Sequence, residues 1–240
     1  NISVYYIVRN LLNVYNDFEI IYEFEKKIDI YLIIDVLKGG EHKKYGIEEI
    51  VNHKVKYNNN SKIIIRINDC DITRKVSRTN SRESKILQFH NYIDYFIYNS
   101  YFIKNYYLKN INDIRFKRKQ NCVIYNGVDL NMFKNNEKIV TNKYKIVTHH
   151  WSPNINKGYE IYHKLWKYTR KNNKYEFIFI GKHVPTMFKE VPIIGPFIKE
   201  EISNELNKCH IYITASKYDS CPNHVLEGIS CGLPILYQNV

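Results

Sequence analysis

The 240-residue chain carries 36 basic and 24 acidic side chains, a net charge of +12, and 44% of its residues are apolar or aromatic. That apolar content supports packed cores for two modest α/β domains or one large one and excludes wholesale disorder. Its apolar runs are of strand length, short of the ~20 residues of a bilayer-spanning helix, and its first residues lack a signal-peptide layout, so the expectation is a soluble, cytoplasmic protein.

Apolar residues at Ile2, Tyr5, Tyr6, Val8, Leu11 and Leu12 recur at helical spacing and predict that the chain opens in a helix. Short β-rich runs follow at Glu19 to Phe24 and Ile30 to Ile34, then a helical stretch from Gly46 to Asn52. The order continues with a strand at Lys62 to Ile67, a helix at Glu83 to Tyr92, a strand at Tyr95 to Tyr98, a helix at Tyr101 to Leu108 and a strand at Asn121 to Tyr125. Strands alternating with helices predict a parallel, doubly wound sheet. Polar turn formers from Asn126 to Lys143 make the linker candidate. Alternation restarts with strands at Lys145 to Thr148, Glu176 to Ile180, Val191 to Ile194, Ile211 to Thr214 and Pro234 to Tyr237. Helices fall between them at Gly158 to Lys171, Lys199 to Lys208 and Asn223 to Ser230. Two such α/β units would create a cleft at the C-terminal ends of their strands.

The five cysteines, Cys70, Cys122, Cys209, Cys221 and Cys231, form no CxxC pair, and the nine histidines include His149-His150 but no HExxH. Neither a disulfide framework nor a metal site is expected. Gly39-Gly40-Glu41 lacks the companions of a phosphate-binding motif and reads as a turn. The lysines are spread along the chain, as expected of solvated surface charge in a chain loaded with Asn, Lys, Ile and Tyr. Two alternatives remain for that charge. One is a peripheral contact with an anionic membrane through Phe116-Lys117-Arg118-Lys119 and Tyr101 to Lys109. The other, nucleic-acid binding, requires one contiguous basic face and steep salt dependence.

The chemistry concentrates in Ala215 to Tyr237, ASKYDSCPNHVLEGISCGLPILY. A strand ends near Ser216, a loop carries Asp219, and Pro222 is expected at the first helical position, where its missing N–H goes unmissed. The N–H groups of Asn223 and His224 would then face outward at a helix N-terminus, a site for a diphosphate, beside Cys221. Glu227 follows Asp219 by eight residues, so two carboxylates can bracket that helix start. A nucleotide sugar has hydroxyls at both ends and a diphosphate between. The bland alternative is that both acids cap and solubilise the helix.

Asp219 to Glu227, followed by Gly232-Leu233-Pro234-Ile235, resembles the hallmark of the family 4 glycosyltransferases of GT-B fold: an acid, seven residues, a Glu, then Gly-x-Pro-hydrophobic. NGVDLNMF (Asn126 to Phe133) resembles that family's interdomain element, THHWSPNINKG (Thr148 to Gly158) its first C-domain loop, and YFIYNSYFIKNYY (Tyr95 to Tyr107) its preceding strand-helix unit. RINDCD (Arg66 to Asp71) is similar to an active-site loop in one branch, which makes Arg66 and Asp69, with Asn68 and Asp71 beside them, candidate catalytic residues. The resemblance implies two Rossmann-like domains, residues 1–133 on the acceptor side and 144–240 on the nucleotide-sugar side, with an interdomain cleft. It also implies sugar transfer with retention of anomeric configuration, from a UDP- or GDP-sugar to an unknown glycan, lipid or protein acceptor, with no resident cofactor and no required metal. By the same resemblance Glu227 holds the donor ribose, Asp219 faces the transferred sugar, Asn223 and His224 bind phosphate through their main chain, and Lys157 neutralises the leaving diphosphate.

The chain departs from the family pattern in three ways. His149 and His150, donor-binding candidates together with Cys221 and Pro222, stand where the family places an arginine, and an imidazole is a weaker phosphate partner than a guanidinium. The first acid is Asp rather than Glu. The glycine-rich loop and first strand that precede the opening helix, and the glycine turn and closing helices beyond Val240, are not present. A fragment or truncated product is therefore expected, with a catalytically inactive nucleotide-sugar-binding protein as the alternative.

Overall fold

In the computed structural model, residues 19–25, 27–38, 44–70, 82–111, 113–136, 141–182 and 184–238 are described. The expected opening helix, Gly39-Gly40-Glu41 and Asp71 lie outside them. Two compact units emerge, one ending at Asn126 and the other beginning at Gly127. Residues 127–133, assigned from sequence to the first domain, fall in the second unit, where Phe133 is buried in the core.

The first unit alternates β1 (Ile30–Ile33), α1 (Ile47–Tyr57), β2 (Lys62–Ile67), α2 (Arg82–Phe89), β3 (Tyr95–Tyr98), α3 (Tyr101–Asn110), the single turn α4 (Ile114–Lys117) and β4 (Gln120–Val123). All pairings are parallel and the sheet order is β1-β2-β3-β4, with Ile33 opposite Ile65 and Ile65 opposite Phe96. Along β2, Ile63, Ile65 and Ile67 are buried at the period-two spacing of a strand face. The helices start on local signals. Glu49 accepts the Gly46 N–H at 3.0 Å ahead of α1, and the Ser100 hydroxyl accepts the Ile103 N–H at 3.3 Å ahead of α3. Ile103 and Tyr107, one helical turn apart on α3, face the core, where Tyr107 stands 6.1 Å from Tyr98. The strand expected at Glu19 to Phe24 does not form. The Phe24 ring is used for stacking instead, 3.9 Å from Tyr45 and 4.3 Å from His53 on α1, and aromatic packing of this kind overrides local β propensity.

The second unit contains β5 (Tyr144–His150), α5 (Tyr159–Arg170), β6 (Tyr175–Gly181), β7 (Ile193–Ile194), α6 (Lys199–Asn207), β8 (Ile211–Thr214), α7 (Asn223–Ser230) and β9 (Ile235–Tyr237). Its parallel sheet has the order β7-β6-β5-β8-β9. Alternation sorts the side chains onto two faces. Val147, Ile180 and Tyr212 pack with Ile202 and Leu206 of α6, while Ile146, Phe177 and Phe179 pack with Tyr159 and Tyr162 of α5. Helices therefore cover both faces, which is why the central strand β5 is buried from Ile146 onward. Full burial of a ring such as Phe179 contributes about 2 to 3 kcal/mol, so these layers supply the unit's cohesion. Among the described residues no helix is long and apolar enough to cross a membrane.

Candidate functional site

From β5 the second unit's chain moves outward to β6 and β7, then returns to place β8 on the opposite side of β5. At such a reversal the loops leaving the two central strands turn toward opposite faces and open a crevice outside the strand C-termini, where doubly wound sheets bind ligands. The sequence-predicted residues of this half lie on those two loops and on α7.

The loop after β5 is held by local geometry. The Asn154 side chain accepts the Asn156 N–H at 3.0 Å, which starts a 3₁₀ turn at Ile155–Lys157. Gly158 ends it with φ of +86°, and a Cβ there would stand 2.2 Å from the Ala215 carbonyl oxygen, so only glycine fits. The Asn156 carbonyl accepts the Lys217 N–H at 2.8 Å and ties this loop to the one after β8. Lys157 is thereby set beside Asp219, and its Nζ donates to Asp219 Oδ2 at 2.5 Å. Burial alone would raise the Asp219 carboxyl. The His224 contact and the Lys157 ammonium outweigh it and hold the group below the usual carboxylate range.

Pro222 is the N-cap of α7, one position earlier than expected, and its side chain caps nothing. Its carbonyl accepts from Val225 and Leu226, which leaves the N–H groups of Asn223 and His224 as the outward donors of the first turn. Asn223 is exposed, while Cys221 and Pro222 are half-buried. Gly228 lets α7 lie close to the sheet, because a Cβ there would come within 2.7 Å of the Tyr212 ring.

The two acids are joined through the interior. His149 Nε2 lies 2.7 Å from Glu227 Oε2, and His149 Nδ1 lies 3.0 Å from the Tyr212 hydroxyl. The same hydroxyl lies 3.0 Å from His224 Nδ1 and accepts the His149 main-chain N–H at 3.2 Å. His224 Nε2 faces Asp219 Oδ2 at 3.4 Å, the contact that helps to lower the Asp219 carboxyl. Burial pushes the His224 imidazole below its usual range, and the Asp219 contact offsets this only in part. Burial likewise pushes the Tyr212 phenol well up, so it stays protonated.

His150 takes the other face of the sheet, as its neighbour in a strand must. Its Nε2 meets the Tyr162 hydroxyl at 2.8 Å and Thr148 Oγ1 at 3.3 Å, and the Tyr162 oxygen also accepts the Ala215 N–H at 2.8 Å. Burial holds this ring well below the usual histidine range, with His224, Lys157 and His149 acting in the same direction. Both histidines are interior side chains, 1% and 3% exposed.

Arg66 and Asp69 belong to the first unit. Arg66, buried at the end of β2, donates from Nη2 to the Ile124 carbonyl at 3.1 Å and to Asn126 Oδ1 at 2.8 Å. Asp69 accepts the Cys70 N–H on its side chain at 2.9 Å and the Tyr107 hydroxyl on its carbonyl at 3.3 Å. Asn99 donates to the Asn68 carbonyl at 2.8 Å. In this unit the expected catalytic loop is knitted into the strand ends.

Sequence reasoning missed Tyr212 and Tyr162. Both read as core aromatics of a strand and a helix, and their histidine partners are remote in sequence, 63 residues away for His149 and Tyr212. The only available signal was the polar pair His149-His150 ending a strand otherwise destined for burial, since buried imidazoles require partners.

No family model and no curated protein matches the chain. Solved structures do. Sucrose-phosphate synthase from Thermosynechococcus elongatus superimposes with a TM-score of 0.63 at 13% identity, over 87% of this chain and 55% of that one. The pneumococcal O-GlcNAc transferase GtfA, solved with UDP and GlcNAc, gives 0.57 at 11% identity over 79% and 40%. The lipopolysaccharide outer core galactosyltransferase WaaB gives 0.53 at 14% identity over 98% and 60%. The chain thus spans between 40% and 60% of the length of these structures. What it shares with them is architecture: its α/β fold, two parallel-sheet units of Rossmann-like type, is that of the GT-B glycosyltransferases.

Proposed function

We propose that the chain is a glycosyltransferase, or a large part of one, whose second unit binds a nucleotide-sugar donor. The observation that carries this reading is the convergence of Lys157, Asp219 and the first turn of α7 at the strand-order reversal between β5 and β8. A diphosphate at that turn would meet the N–H groups of Asn223 and His224 and the positive end of the helix, with Lys157 within reach. Glu227, fixed by His149 at 2.7 Å, is the candidate for the ribose hydroxyls, and Asp219 for the transferred sugar. The GtfA structure holds UDP and GlcNAc, which favours a uridine donor as the first to test.

In this mechanism the protein supplies fixed charge. Lys157 and the helix start stabilise the diphosphate as the anomeric bond breaks, a role that needs pre-oriented positive charge. The acceptor oxygen enters from the face the diphosphate leaves, so configuration is retained, and Arg66 and Asp69 are the candidates on the acceptor side.

A thermal-stability screen of UDP- and GDP-sugars identifies the donor, since a ligand at a hundredfold excess over its Kd adds about 2.7 kcal/mol. Glu227→Ala should then weaken that donor about 100-fold by calorimetry, the loss of a charged hydrogen-bond acceptor and its ordered geometry. Unchanged affinity would remove the central assignment.

A further inference from the structure

Positive charge is unevenly placed in the first unit. Between Asp94 and Asp129 the sequence holds six basic residues, Lys104, Lys109, Arg115, Lys117, Arg118 and Lys119, against one acid, Asp113. The fold gathers four of them at one edge. α3 is the crossover between the parallel strands β3 and β4, so it runs back along the sheet and delivers Lys109 to the edge where β4 begins. The single turn α4 follows. Its Phe116 ring, 1% exposed, packs 4.7 Å from Phe96 and 6.1 Å from Tyr107, and the Asp113 and Ile114 carbonyls accept the Lys117 and Arg118 N–H groups at 3.1 Å each. With Phe116 inward, Lys117 and Arg118 are exposed and Ile114 shows 60% of its surface to solvent. Lys109 is exposed too, and Lys119 is half-buried. Among the described residues no ion pair engages these four cations. Asp94, at the start of neighbouring β3, is held by the Lys62 ammonium at 3.2 Å and the Ile63 N–H at 2.9 Å. Asp29 precedes β1, three strands away, about 14 Å at ordinary strand spacing.

We propose that this edge docks on an anionic bilayer, with Lys109, Lys117, Arg118 and Lys119 on headgroup phosphates and the Ile114 side chain at the boundary with the acyl chains. Two features choose a membrane over a nucleic acid. An aliphatic tip exposed on the same turn as two cations gains by leaving water for acyl chains, and a phosphodiester backbone offers it nothing. Bases reward a nucleic-acid interface by stacking on aromatic rings, and the ring of this turn, Phe116, is buried. Each exposed Lys or Arg at an anionic surface strengthens binding about fivefold, so four cations and one aliphatic anchor make the contact a reversible, peripheral one. The docking edge lies at the strand starts, away from Arg66 and Asp69 at the end of β2, and leaves that loop uncovered. The inference stands apart from the donor-site reading, which concerns the second unit.

Co-sedimentation of the full chain with vesicles of equal parts phosphatidylglycerol and phosphatidylcholine tests it. Binding is expected at low ionic strength, falling as salt is added, with none to phosphatidylcholine alone. Lys117→Gln with Arg118→Gln should weaken it about 25-fold, and Ile114→Ser about fivefold. Lys164→Gln with Lys167→Gln removes two exposed cations from α5 in the second unit and should change binding by less than about twofold. Ile114→Trp should bind at least as well as the parent, and its new tryptophan emission should move to the blue when anionic vesicles are added, so the test survives if the serine variant does not fold. No binding to the anionic vesicles, an α5 loss as large as the α4 loss, an unshifted tryptophan, or a preference for a DNA duplex over the vesicles each overturns the inference. None of these results touches the donor-site reading.

Discussion

The two units are built alike, yet their strand ends are put to different uses. In the first, the described strands run β1-β2-β3-β4 without reversal, and the polar residues after β2 and β3 bond largely to backbone, while Asp35 after β1 pairs with Arg82 at 2.7 Å. Arg66 holds the Ile124 carbonyl and Asn126, and Asn99 holds the Asn68 carbonyl. In the second, the order reverses beside β5, and the side chains there meet one another: lysine with aspartate, histidine with glutamate, two histidines through one tyrosine. The contrast shows that a polar cluster after a strand carries little information by itself. What sets the second unit's cluster apart is its location at the reversal of strand order, which is where the proposed donor site lies.

Four perturbations sharpen that contrast. The largest effect is expected from Gly158→Ala. It forces a left-handed backbone onto a side chain and drives a Cβ to 2.2 Å from the Ala215 oxygen, so urea unfolding should show a loss of about 3 kcal/mol or more. Tyr212→Phe follows, at about 2 kcal/mol, because it removes the hydroxyl that meets two buried imidazoles and accepts a main-chain N–H. Arg66→Gln should cost about 1 to 2 kcal/mol of stability by removing a brace between strand ends. If Arg66 is scaffolding only, donor affinity and turnover should stay within about twofold; a collapse of turnover at unchanged donor affinity is the result its catalytic assignment requires.

The smallest effect is one of pH. His150 and His224 have folded values lowered mainly by burial, so the unfolded chain binds protons there that the folded chain refuses. Their contribution is present above the ordinary histidine range and is lost as pH falls from about 7 to about 5. Asp219 adds a separate loss at lower pH, below the ordinary carboxylate range, because its folded value is lowered too. Melting temperatures measured across that span should decline toward acid, and a flat profile between about pH 7 and about pH 5 would contradict the burial of both rings as neutral groups.

Much of this was legible in the chain itself. Strong β runs such as Lys62–Ile67 and Ile211–Thr214, and the helix at Asn223–Ser230, stand where the pattern of apolar residues puts them, because alternation and flanking turn residues are local properties. The pairing of Lys157 with Asp219 was foreshadowed only as two residues of one candidate site. What could not be read were consequences of packing at a distance. Glu19 to Phe24 has strand composition, but its phenylalanine is claimed by Tyr45 and His53. Arg66 and Asp69 were singled out by likeness to an active-site loop, and their bracing of the main chain was not legible beside it. Tyr212 carries no mark at all until the sheet sets it between two imidazoles.

The ion pair between Lys157 and Asp219, 2.5 Å long, means that the ammonium already has its own counter-ion. A stray monovalent anion offers the ammonium nothing that the aspartate does not already provide, and it must displace a tethered competitor to gain a foothold. A polyphosphate bearing hydroxyl-rich groups can replace the lost partner and engage the freed carboxylate in one event. On the proposed donor-binding reading, selectivity against simple salts would be set by this pair, as a lock that opens to a molecule with something for both halves.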